Sequence, residues 1–177
     1  VVNTGNAPIT ASLTVTPTFT NEGVSCGGAT ENFTITVKPS AQVNQPVSVV
    51  VCDGDTVAAT SFSSSNTVGT TTYTWTNDNL STGLNISSGT GDVPTFIATN
   101  TGTVPLVSTV TVTPSFDNAG VICSGPSKTY TVTVNPVAQV NPPASQVVCN
   151  GDSTNVSFTT ANTGGLTTSN WTTSDTS

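Results

Sequence analysis

Four cysteines stand at fixed intervals: Cys26 recurs as Cys123, and Cys52 as Cys149, each 97 residues further on. Thiols at fixed spacing can hold zinc, run dithiol redox chemistry or form cross-links. The chain has no His and no Cys-x-x-Cys pair, so the usual donor set for zinc and the usual redox motif are both missing. The pattern reads instead as two bonded positions per repeat, made in an oxidising compartment. A Cys52–Cys123 bond would make each repeat self-sufficient. A Cys26–Cys52 bond would clip neighbouring repeats together. Four cysteines allow three full pairings; the bond within one repeat is the expected one, and either would contribute roughly 2–4 kcal/mol.

Carboxylates are the second candidate chemistry. Asp53 and Asp55 flank Gly54, and Asp78 lies in the next Asn-rich turn. Oxygen donors on such loops could hold Ca²⁺, and the same residue types also build turns. The matching later stretch keeps Asp152 but has Asn150 in place of Asp53. No other cofactor is implied. Catalysis is not expected: without His there is no side chain of ordinary neutral pKa to activate the many Ser and Thr hydroxyls. The remaining carboxylate candidates, Asp92 and Asp117, also sit in turn-like contexts. The net charge is −7 and only Lys38 and Lys128 are basic. Phosphate neutralisation needs a cationic surface, so a nucleic-acid partner is excluded, and so is a polybasic attachment to anionic lipid.

These residues are carried by a chain that repeats itself. Thr14-Val15-Thr16-Pro17 recurs as Thr111-Val112-Thr113-Pro114, and Ala41-Gln42-Val43-Asn44 as Ala138-Gln139-Val140-Asn141. Past Asp152 the register slips by one, so Trp75 matches Trp171. A fixed long period means one folding unit copied in tandem. Two full copies do not fit in 177 residues, so the chain reads as a piece of a longer array. Residues 1–40 are expected to be the C-terminal part of one unit, 41–136 a complete unit, and 137–177 the N-terminal part of the next. Pro39 to Pro46 and Pro136 to Pro143 read as stiff extended connections between them.

The fold class expected is all-β. Apolar content is only 34 %, but it sits in Val-, Ile- and Thr-rich runs that favour pleated surfaces. Strands are expected at 46–51, 56–63, 70–76, 84–87, 93–99, 106–113 and 127–134. In the last of these Tyr130, Val132 and Val134 alternate with Thr129, Thr131 and Thr133, the period of a half-buried strand. Such strands, separated by Gly, Asn and Pro turns, describe a β-sandwich. Trp75 and Trp171 are its expected core anchors.

Several stretches together resemble the immunoglobulin-like, PKD-like tandem repeats of large secreted surface proteins of Bacteroidota. They are Val50-Val51-Cys52-Asp53-Gly54-Asp55, Tyr73-Thr74-Trp75-Thr76-Asn77, Gly120-Val121-Ile122-Cys123 and Thr129 through Pro136. The resemblance covers essentially the whole chain. It implies an extracellular, cell-surface adhesin-type protein in which many repeats act as stalk. It also implies O-glycosylation at Asp-Ser/Thr sites followed by an aliphatic residue or Thr, a pattern met by Thr56 and Ser153. The expected function is therefore a structural module of a long surface stalk or filament that presents an adhesive region, its partners being neighbouring repeats of the same chain. Two other readings stay open. One is a module that binds carbohydrate or a cell surface, with surface polysaccharide as partner, which would want exposed aromatics such as Phe96, Phe116 or Tyr73. The other is a fibre subunit assembling with identical chains.

Overall fold

The computed structural model describes residues 2–174. Val1 and residues 175–177, which the reading above placed in the first and last segments, lie outside them. The described chain is all-β, in several antiparallel and mixed sheets with one short 3₁₀ turn. In chain order its strands are β1 (Ile9–Val15), β2 (Thr18–Asn21), β3 (Val24–Gly27), β4 (Glu31–Val37), β5 (Val49–Cys52), β6 (Thr56–Val57), β7 (Thr70–Asn77), β8 (Ser88–Thr90), β9 (Phe96–Ile97), β10 (Leu106–Asn118), β11 (Val121–Ser124) and β12 (Lys128–Asn135).

The largest sheet is six-stranded, in the order β5-β12-β10-β7-β8, with β11 pairing the far half of β10. All of its pairings are antiparallel except β5 with β12, which is parallel. Its inner face follows the alternation expected of half-buried strands. Ser108, Val110, Val112, Pro114 and Phe116 of β10 are buried, as are Tyr130, Val132 and Val134 of β12. The Thr residues between them are partly exposed. Trp75 of β7, Val43, Val57 of β6, Leu84, Val93 and Ala98 close over this face in one apolar cluster. Val57 belongs to the separate β6–β9 pair, so the core is shared between the large sheet and the segments that cross it.

Some strands differ from expectation. β10 does not stop at Thr113 but runs through Pro114 to Asn118, and β11 returns beside it. Pro has no N–H for a ladder bond. Here it falls where β12 has ended, at Val112, and β11 has not begun, at Ser115, so no bond is lost. The expected strand at 84–87 is absent. A 3₁₀ turn at Leu80–Thr82, capped by the Asn79 side chain, precedes β8 instead. The strand expected over 56–63 contracts to β6 and a single bridge, Thr60 to Val93.

The two flanking segments are open. Residues 2–40 form the antiparallel pair β1–β4 and the hairpin β2–β3. Residues 137–174 make one isolated bridge, Asn141 to Thr159, and no strand among those described. The sequences matching this last segment, at β5 and β7, are strands because they pair with β12 and β10. No counterpart of those partners exists within 137–174.

Candidate functional site

The structure does not cross-link the cysteines. All four are free, which corrects the expectation of disulfides. Topology gives the reason. Cys52 pairs with Asn135, at the end of the sheet where β10 begins, whereas Cys123 pairs with Phe116, near the end of β10. Leu106 to Phe116 is ten steps of strand, ~33 Å, and a disulfide requires Cα atoms within about 7 Å. The rival pair is likewise unbonded. Cys26 lies in β3, at the end of the β1–β4 pair away from Lys38. Lys38 in turn bonds Asn118, at the opposite end of β10 from Cys52.

The three carboxylates suggested for Ca²⁺ each cap backbone. Asp53 Oδ1 accepts from the Asn100 N–H at 2.6 Å, Asp55 Oδ2 from the Cys52 N–H at 2.9 Å, and Asp78 Oδ1 from the Thr109 N–H at 2.6 Å. Asp53 and Asp55 share the turn after β5, while Asp78 follows β7, with β12 and β10 between. Among the described residues no three His, Cys, Asp or Glu side chains gather as a metal site. The two residues matching the glycosylation pattern, Thr56 and Ser153, are both exposed.

The aromatic residues divide sharply. Trp75 is 3 % exposed and Phe116 0 %. Tyr73 and Phe96 pack against the core, Tyr73 with its ring centroid 5.6 Å from that of Phe62. Trp171, expected in a core, is instead 71 % exposed, because no strand or sheet covers it in segment 137–174.

What the structure brings together with most regularity is the contact between successive segments. The loop before β1 meets the loop before β7: the Thr67 N–H donates to the Asn6 carbonyl at 2.8 Å, and Gln42 Nε2 to Asn6 Oδ1 at 3.0 Å. Asn66 organises the receiving side. Its Oδ1 accepts from the Gln42 N–H at 2.7 Å, and its Nδ2 donates to the Ser40 carbonyl at 3.0 Å. Lys38 Nζ donates to the Asn118 carbonyl at 2.8 Å and to Asn118 Oδ1, while Asn118 Nδ2 donates to the Val68 carbonyl.

Three of these bonds recur at the next boundary. The Thr163 N–H donates to the Thr103 carbonyl at 3.0 Å, matching Thr67 and Asn6. Asn162 Oδ1 accepts from the Gln139 N–H at 2.6 Å, and its Nδ2 donates to the Val137 carbonyl at 3.1 Å. Asn3 and Asn100 correspond as well: each side-chain amide bridges two carbonyls, of Ala7 and Val37 in one case and of Val104 and Val134 in the other. Two boundaries are thus built on one plan. Sequence reading placed connectors here but missed the Asn residues that fix them. The signal was present, since Asn66 and Asn162 hold matching places after the one-residue slip.

No protein-family model and no curated protein matches the chain.

Proposed function

We propose that this chain is part of a load-bearing stalk or filament of an extracellular surface protein, built from tandem immunoglobulin-like, PKD-like sandwiches of about 97 residues. Residues 41–136 are the complete unit, and the flanking segments are parts of its neighbours. The stalk presents an adhesive region elsewhere in the protein. With the cysteines free, the extracellular placement rests on the family resemblance.

One observation carries the mechanical reading. β5, the first strand of the unit, lies parallel to β12, the last, with Val49 to Cys52 opposite Val132 to Asn135. Parallel neighbours put the entering and leaving ends of the unit at opposite poles. Tension along the molecule therefore shears the β5–β12 ladder, loading its bonds together rather than peeling them one at a time. The Ser48 hydroxyl accepting from the Thr131 N–H at 3.0 Å, and Gln45 Nε2 donating to the Thr129 carbonyl at 2.7 Å, extend the same seam. At the entry pole Gly125 lets the backbones touch, since a Cβ there would lie 1.7 Å from the Ala41 carbonyl oxygen. The recurring Asn66-type and Asn162-type boundaries support a constant relation between neighbours.

Small-angle X-ray scattering tests the extended arrangement. A pair-distance distribution with a long tail is expected. A symmetric distribution of a folded-back particle would remove the stalk reading. A glycan array run alongside addresses the other class: saturable binding lost on replacing one aromatic residue would make this a recognition module.

A further inference from the structure

β5 is an edge strand of the large sheet. β12 lies on one side of it, and the other side has no ladder partner among the described residues. This edge belongs to the complete unit 41–136, and none of the contacts between successive segments described above involves residues 46–52. Alternation decides which of its backbone groups are free. The Asp53 N–H donates to the Asn135 carbonyl across the parallel seam. Val49 and Val51 therefore bond β12, while the N–H and C=O of Ser48 and Val50 point away from it. Edge strands are ordinarily guarded by Lys, Pro, a bulge or a covering loop. The stretch Val47-Ser48-Val49-Val50-Val51-Cys52 holds neither Lys nor Pro, and no charged residue occurs from Ala41 to Cys52. Val47 is 80 % and Val50 67 % exposed. Beside this edge lies a groove of 460 Å³, with Val49, Val51, Val57, Ala58 and Ala59 in its walls.

We infer that the open edge of β5 is a docking surface for β5 of a second copy of this chain, added antiparallel about a two-fold axis at Val49. Self-complementarity and charge choose this occupant. The free groups are two donors and two acceptors on residues two apart. Turned about Val49, Ser48 falls opposite the second copy's Val50, and Val50 opposite its Ser48. Each of these pairs exchanges two N–H···O=C bonds, so the edge satisfies itself, as a two-fold interface requires. Charge selects the direction. The chain carries −7, so two copies repel wherever carboxylates meet. The antiparallel arrangement sets Asp53 opposite the uncharged Gln45 and holds the two Asp53 residues eight strand steps apart, ~27 Å. A parallel arrangement would set them side by side at the strand spacing of ~5 Å. On the inner face Val47 falls opposite Val51, and Val49 opposite Val49, which carries the apolar wall of the groove across the axis. Two six-residue edges bury less than the ~800 Å² per partner of a standard interface, so the association is weak. The inference rests on the complete unit alone and is independent of the stalk reading.

Sedimentation equilibrium on the 177-residue chain, from micromolar to millimolar concentration, tests it. A monomer–dimer equilibrium is expected. Val50→Pro removes an outward N–H and leaves β5 its donors toward β12. Val47→Lys places a charge on an exposed residue of the same edge. Each should raise the apparent dissociation constant ~10-fold or more. Near-UV circular dichroism from Trp75 and Tyr130 checks that 41–136 stays folded in both. Cross-linking reads the direction, in a background with all four cysteines changed to Ser. Val49→Cys should link to its own copy on mild oxidation, since residues on the axis have Cα atoms ~4.5 Å apart. Val51→Cys should not, because its two copies lie four strand steps apart, ~14 Å. A native chain monomeric throughout overturns the inference. So does association that both Val50→Pro and Val47→Lys leave unchanged. Equal linking by Val49→Cys and Val51→Cys, the signature of parallel pairing, overturns it as well.

Discussion

Asn100 shows how much one polar side chain organises at a boundary. It is buried, its Nδ2 donates to the Val104 and Val134 carbonyls at 2.8 and 2.7 Å, and its Oδ1 accepts from the Gly102 N–H at 3.0 Å. Replacement by Ala would remove all three hydrogen bonds of a buried side chain, so Asn100→Ala should cost about 2 kcal/mol in urea unfolding with an unchanged m-value. The only two tyrosines make a second prediction. Burial raises the pKa of both Tyr73 and Tyr130, opposed by hydrogen bonds to Ser64 and Thr60 respectively. Their folded pKa exceeds the unfolded value, so the unfolded chain loses its phenolic protons first and binds fewer protons than the native state. The associated stability is full below pH ~10 and is lost as pH rises through the folded values. Unfolding midpoints measured across that range should fall, and the fall should be shallower in a Tyr73→Phe, Tyr130→Phe double variant. The core role of Trp75 was legible in sequence because a strand alternation surrounded it. The exposure of Trp171 was not, since burial depends on strands that its own segment does not contain.

At the scale of elements, the loops before β7 and at its counterpart differ in one telling residue. Val68 holds φ +62°, a left-handed conformation disfavoured for a β-branched side chain. Its counterpart Gly164 holds φ +79° without that penalty. The Val68 side chain is exposed, so it gains little packing in return. Relief of left-handed strain is worth about 1–2 kcal/mol and the added freedom of Gly in the unfolded chain costs about 0.5–1 kcal/mol. Val68→Gly should therefore stabilise the chain by roughly 0.5–1 kcal/mol, read as a raised Tm; a lowered one would show that the Val side chain packs across the boundary. The alternation of β7, β10 and β12 was readable from sequence because each inner face is apolar at every second residue. β11 was hidden by its shortness, and the length of β10 by Pro114, whose missing N–H happens to face a gap between partners. The disulfide expectation failed at this scale too: spacing in sequence says nothing about which pole of a sheet a residue reaches.

For the whole molecule, the 97-residue period was visible at once, whereas the boundary bonds that repeat with it were not. They join backbone groups to Asn and Gln side chains across loops, and nothing in composition sets such residues apart from ordinary turn formers. The central claim is that 41–136 carries tension as one unit through the sheared β5–β12 seam. Pulling single molecules by their two ends tests this most directly. The account predicts one dominant rupture with a contour-length gain of roughly 300 Å, the extended length of that segment less its folded span. Val51→Pro, which removes an N–H that faces β12, should lower the rupture force without changing the gain. A featureless extension, or a gain corresponding to the entire chain in one step, would contradict the claim.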